Sequence, residues 1–272
     1  MKKPVLKPNE LSTRGRRYPV RPDKKDKRDK LVHSLLAKPV TLPLTRCDLS
    51  QYLGPVKDQG QLGACTGFAY AGIREFLNNK KGPLPAGTQP AVFAPLYLYY
   101  KERQLENNIN EDSGAEPRDG CKVLLNSGVC LENQDQYNIA NYQTAPTPEM
   151  ETEAGQYKIL SYHRAMNLQE LKNALAQGLC ASVAMDVYES FEGNYTASSG
   201  EMKMPAKNED LLGGHEVIAF GYDDNHTNYD NTKGAVHIRN SWGATWGQSG
   251  NFWMPYSYVV PKYVSDIWVP MA

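Results

Sequence analysis

The chain has 272 residues, 40% apolar and 22% charged, with 30 Lys and Arg against 30 Asp and Glu. These proportions fit an ordinary globular protein of one large domain or two closely joined lobes, with an ample buried core. No stretch approaches the roughly 18–20 apolar residues of a membrane-spanning helix, and Pro4, Pro8 and Asn9 stand where a signal peptide would carry its apolar run.

The zero net charge hides an asymmetry. Residues 1–30 hold 12 Lys and Arg against 4 Asp and Glu, a net of +8, so the remainder is −8. Residues 1–41 therefore read as a basic arm ahead of a mildly acidic body spanning 42–272, with opposite charges drawing the two together. Like charge crowds the arm from Arg14 to Lys30 and opposes its compaction; one short amphipathic piece, Leu31, Val32, Leu35 and Leu36, is suited to docking. Aromatic residues, Tyr18 apart, are missing from the basic run, so nucleic-acid binding is not expected. No membrane association is expected either, and a monomer is.

From about Leu42 the chain reads as globular. Cys65–Asn79 is predicted helical, with Phe68, Ala69, Ile73, Phe76 and Leu77 on one apolar face. Further helices are expected over Pro95–Glu106, over Pro117–Asn126, and over Leu168–Gln177 with Asn167 as its cap. After that the pattern changes: Ala181–Val187, His215–Tyr222, Ala235–Asn240 and Asn251–Met254 read as strands. Asp223–Asn231 has the composition of a solvated hairpin tip and lacks the spacing of a calcium loop. Helices first and strands later predict an α+β protein of two unlike lobes. The five cysteines, Cys47, Cys65, Cys121, Cys130 and Cys180, leave at least one thiol unpaired within the chain. Without a CxxC pair, no metal or cofactor site is expected.

Three segments carry chemistry. In Gln59-Gly60-Gln61-Leu62-Gly63-Ala64-Cys65, a glycine-rich turn delivers a cysteine to the first turn of an apolar helix. Unpaired N–H groups and the partial positive charge there favour thiolate and can hold an oxyanion, to which Gln59 adds a side-chain donor. The same cysteine is equally readable as a buried small hydrophobe. In Gly213-Gly214-His215-Glu216, a histidine opens an apolar strand behind two glycines that let a peptide backbone pass close by. A histidine so placed is more often structural than catalytic. In Asn240-Ser241-Trp242-Gly243-Ala244-Thr245-Trp246-Gly247, an amide at a strand end precedes two Trp-Gly pairs.

Together these segments resemble the papain family of cysteine peptidases. Gly63-Ala64-Cys65 matches the family's nucleophile signature, the order Cys65, His215, Asn240 is kept, and Pro55-Val56-Lys57-Asp58-Gln59-Gly60 looks like its lead-in. The resemblance implies an α+β papain-like fold, with a helical N-terminal lobe, a β-rich C-terminal lobe and the active-site cleft between them. It further implies Cys65 as nucleophile, His215 as base, Asn240 as the residue orienting the imidazole, Gln59 in the oxyanion hole, and Trp242 covering the His–Asn contact. Ser113, Gly114 and Gly214, with Trp242, are the expected substrate contacts, although Ser113-Gly114 reads nearly as well as a loop before a helix. Peptides or proteins are the implied substrates, protein inhibitors of cysteine peptidases possible partners, and no cofactor is implied.

Three departures bear on the site. Leu62 stands where plant and lysosomal members carry a disulfide cysteine, Thr66 where an aromatic follows the nucleophile, and Glu216 where a small residue follows the histidine. They point to a reduced, bacterial-type short form. Family members often carry an inhibitory N-terminal segment, so the arm is expected to cross or approach the cleft and to be removed near Lys38–Thr45. A catalytically silent papain-like binding module and an acyl transferase of the same chemistry are the rival readings.

Overall fold

The computed structural model describes residues 11–12, 14–35, 44–82 and 89–272. Leu36 and most of the segment expected for removal therefore lie outside the described residues. Residues 11–35 hold little regular structure beyond one helical turn, α1 (Val32–Leu35). After β1 (Arg46–Asp48) come α2 (Cys65–Asn79), α3 (Pro95–Leu105), α4 (Pro117–Asn126) and α5 (Pro148–Ala154). The second half runs β2 (Ser161–Arg164), α6 (Leu168–Ala176), β3 (Ala181–Tyr188), the short α7 (Glu189–Glu192) and α8 (Asn194–Ser199), β4 (Leu211–Thr227), β5 (Lys233–Arg239), β6 (Asn251–Pro255) and β7 (Val264–Met271).

Local chemistry accounts for the helix limits. Prolines start α3 and α4, where an absent N–H costs nothing, and Asn167 caps α6 by accepting from Glu170 N at 3.0 Å. The expected apolar face of α2 is buried. Gly67 on that helix lets α3 come close, since a Cβ there would lie 2.5 Å from Pro95 O.

Among the described residues, seven strands form one sheet in the order β2-β7-β3-β4-β5-β6, with β1 also paired to β4, and every pairing between them is antiparallel. β3 is buried along nearly its whole length, as a central strand covered on both faces must be. Its register places Met185 opposite His215 and Ala184 opposite Glu216. β4 is longer than its apolar run suggests, because its polar end, from Asp223 on, pairs with Arg46 of β1 and with β5. β7 escapes sequence reading because Ser265, Asp266 and Pro270 interrupt its apolar pattern. The Asp223–Asn231 segment forms the β4–β5 hairpin end, although Asn228 is buried there, donating to Gly234 O at 3.1 Å. No described helix is long and apolar enough to cross a membrane.

Like charge does not keep the arm apart from the body, and two of its cations meet body acids. Arg17 pairs with Asp112 at 3.2 Å and Arg21 with Glu106. Tyr18 and Val32 are themselves part of the main hydrophobic core.

Candidate active site

Cys65 is the first residue of α2, and no side chain caps the turn that precedes it, so the first N–H groups of the helix face the thiol's surroundings unclaimed by a cap. His215 comes from β4 and Asn240 from the position just after β5, two strands paired side by side. The His215 Nε2 and Asn240 Oδ1 atoms are 2.8 Å apart, and both side chains are buried. Oδ1 also accepts from Ser241 N at 2.8 Å, which fixes which amide atom is the oxygen. The imidazole accordingly carries its proton on Nε2 and leaves Nδ1 with a lone pair. Nδ1 is buried with no hydrogen-bond partner. The Trp242 ring stacks on His215 with centroids 5.0 Å apart and planes 26° apart, shielding the His–Asn bond from water.

Gln59 is buried and held at both ends of its amide: Nε2 donates to Leu62 O at 3.0 Å and Oε1 accepts from Ser241 Oγ at 2.6 Å. One Nε2 hydrogen remains free. Ser241, which the motif reading passed over, therefore ties the Gln59 amide to the Asn240 backbone.

The arm lies directly across this group. Gly214 N donates to Tyr18 O at 3.0 Å and Val20 N donates to Gly214 O at 3.3 Å, so residues 18–20 pair with the backbone just ahead of His215. Val20 packs with Cys65 and Ala184, and the Tyr18 ring sits 6.1 Å from both the His215 and the Trp242 rings. Two glycines make the approach feasible: a Cβ on Gly114 would lie 2.6 Å from Pro19, and one on Gly214 would lie 2.4 Å from Val20 O. Arg16 stacks over Trp242 at 4.2 Å, and Arg21 Nη1 donates to Ser113 O at 2.7 Å. All four expected substrate contacts, Ser113, Gly114, Gly214 and Trp242, thus touch the arm. The signal missed in the sequence is Tyr18-Pro19-Val20, an apolar triplet inside the basic run.

Further anchors flank the crossing. Before it, the Tyr18 hydroxyl donates to the Glu192 carboxylate, which also accepts from Ser12 Oγ at 2.6 Å. After it, Asp23 Oδ1 accepts from Arg118 N at the start of α4 at 3.0 Å, and Oδ2 accepts from Trp268 Nε1 at 2.7 Å. Asp29 pairs with Arg118 at 2.8 Å and with Arg164 at 3.4 Å.

Enclosure sets the protonation of the site. Burial pushes the Cys65 thiol up to about 12, with the nearby Glu216 carboxyl adding to the rise against backbone hydrogen bonds that oppose it. Burial pulls His215 down to about 4, the Asn240 hydrogen bond opposing and Arg16 assisting. Under the arm the thiol and the imidazole are therefore both neutral.

An α+β fold, a cysteine at a helix start and an aligned His–Asn pair define the papain class. The chain matches the papain family cysteine protease profile over residues 45–260 and belongs to that family. It is a papain-like cysteine peptidase, hence a peptide hydrolase. Among solved structures it is similar to xylellain, a cysteine protease from Xylella fastidiosa, with TM-score 0.82 and 32% identity over 94% of this chain and 96% of that one. An uncharacterized peptidase C1-like protein of Acanthamoeba polyphaga mimivirus is 33% identical over 248 residues, 86% of this chain and 72% of the relative. Cysteine proteinase 3 of Entamoeba histolytica is 27% identical over 209 residues, 75% of this chain and 60% of that protein.

Proposed function

We propose that the chain is a latent cysteine peptidase that cleaves peptide bonds through Cys65, His215 and Asn240, and that its own N-terminal arm holds it inactive. The observation that carries this reading is the pairing of Tyr18 and Val20 with Gly214 above a fully buried Cys65. A substrate needs the same backbone groups and the same space.

With the arm displaced and water admitted, the thiol's proton passes to His215 Nδ1, giving thiolate and imidazolium. Sγ attacks the scissile carbonyl carbon, and its oxygen takes the negative charge facing the Cys65 N–H and the free Nε2 hydrogen of Gln59. Collapse expels the amine, which receives the proton from His215 Nδ1 and leaves a thioester. Water then attacks the thioester, His215 removing its proton, and Cys65 is released with the acid product. Throughout, Asn240 Oδ1 holds the ring by its Nε2 proton, the role of a triad's third member.

The test is labelling of the full chain and of Cys65→Ala with an epoxide-type thiol-peptidase inhibitor such as E-64, located by mass spectrometry and paired with peptide hydrolysis. The expected result is one adduct on Cys65 in protein whose arm has been loosened, with adduct and hydrolysis both lost in the alanine variant. Hydrolysis that survives Cys65→Ala would refute the assignment.

A further inference from the structure

We infer that Glu216 is the floor of a side-chain pocket that selects a lysine or arginine of the peptide substrate. The inference rests on the reading of the arm as occupant of the substrate groove. Glu216 directly follows His215, is 1% exposed, and has both carboxyl oxygens buried without a hydrogen-bond partner. A stranded buried carboxyl is costly, and its persistence calls for a reason beyond folding.

The described surroundings hold no cation for it. The one hydroxyl close enough to favour the ionised form is that of Ser182, whose oxygen lies 2.9 Å from Tyr70 Oη with either group able to donate. The Cys121 thiol donates to the same Tyr70 oxygen at 3.5 Å. Asp266 adds negative field, and its cation, Arg164, is already spoken for by Asp266 and Asp29. No described Lys, Arg or His pairs with Glu216. Glu216 therefore has no counter-ion of its own among the described residues.

The arm runs beside the strand that carries Glu216, with Val20 N donating to Gly214 O at 3.3 Å. Val20 packs on Ala184, which stands opposite Glu216 in the β3–β4 register, and on Cys65. Asp23, a few residues on, contributes a further negative charge to the environment of Glu216. When the arm leaves, a short apolar side chain and an acid leave together. The space they vacate has Ala184 on its wall and an unpaired carboxyl at its floor. A side chain with a long apolar stem and a cationic tip suits both, laying its methylenes on Ala184 and its charge on Glu216. An acidic side chain would instead need the N–H donors that Asp23 uses, Arg118 N and Trp268 Nε1, which lie at the α4 and β7 edge of the groove.

The experiment compares peptidyl fluoromethyl ketones differing only in the residue second from the reactive group, which is Arg, Leu or Glu. The full chain carrying Tyr18→Ala is labelled, alone and combined with Glu216→Gln or Glu216→Asp, and the rate of adduct formation on Cys65 is read by mass spectrometry. The expected result is an Arg-over-Leu rate ratio of about tenfold or more, falling toward one in Glu216→Gln and recovering in Glu216→Asp. An Arg-over-Leu ratio unchanged by Glu216→Gln, or a preference for the Glu peptide, would overturn the assignment. If Tyr18→Ala speeds labelling by all three peptides equally, the groove reading stands and the Glu216 pocket falls. If it speeds none of them, the groove reading falls and the pocket with it.

Discussion

Tyr18→Ala is the sharpest perturbation of the proposed latency. Tyr18 is buried, its ring faces both His215 and Trp242, and its hydroxyl donates to Glu192. Truncating a well-packed aromatic costs about 3–5 kcal/mol, and the lower figure alone raises the population of undocked arm by roughly a hundredfold. Opening also changes the nucleophile. A thiol returning from about 12 to its ordinary 9.0 gains roughly a thousandfold in thiolate at neutral pH, equivalent to about 4 kcal/mol. The assay is the rate of Cys65 alkylation by iodoacetamide between pH 6 and 10, resolved by peptide mapping. At pH 7.5 the variant is expected to react at least about a hundredfold faster than the parent. Cys47, half-buried at the β1 edge and untouched by Tyr18, provides the internal control. Equal Cys65 rates in the two proteins, with the variant still folded by circular dichroism, would refute the argument that the arm governs thiol reactivity.

Two further outcomes test the site and its cost. Gln59→Ala is expected to lower kcat by about 10²–10³, the loss of one oxyanion donor. Ser241→Ala, which keeps the donor but releases its tether at Oε1, is expected to cost about tenfold or less; equal losses in the two would argue that Gln59 acts only as a brace. Glu216→Gln is expected to stabilise the latent chain at neutral pH. The Glu216 carboxyl is raised above its ordinary 4.5, first by burial, so its contribution to stability is present below the unfolded value and lost as pH rises. The melting-temperature gain of the variant should therefore grow from about pH 4.5 upward and close in more acid solution, and a gain independent of pH would contradict the assigned cause.

The helices were legible because each has a physical start signal and a one-sided apolar pattern. Cys65–Asn79 and Pro117–Asn126 occur with the expected bounds, and α3 and α6 end one residue earlier than expected. Short or interrupted strands were not legible: β1 is three residues long, and β7 carries Asp266 and Pro270 in its interior. Of the site, the residues embedded in dense motifs could be named in advance. The binding partners of those residues could not, because Ser241 acts through a contact with Gln59, 182 positions away, and Tyr18 through a backbone bridge to Gly214. Glu216 stood out as a departure from the family pattern, yet only the packing reveals that it is buried without a partner.

Charge asymmetry between arm and body was the first clue to their association, but it does not provide the grip. Arg17 and Arg21 are a quarter or more exposed in their ion pairs, and pairs of that kind are worth about 0–1 kcal/mol and are screened by salt. Two of the enclosed contacts run the other way, with the arm as the acid and the body as the donor. Asp23 takes two hydrogen bonds from Arg118 N and Trp268 Nε1, and Asp29 meets two arginines. Asp29's enclosed pairs are little screened by salt, whereas burial and the neighbouring Asp266 raise the Asp23 carboxyl to about 7. The basic residues therefore bring the arm to an acidic body, whereas Tyr18, Asp23 and Asp29, which the net charge does not reveal, hold it there. The same burial that secures Tyr18 and Val20 keeps Cys65 and His215 neutral, so on the proposed reading displacing the arm would expose the nucleophile and ionise it in one event.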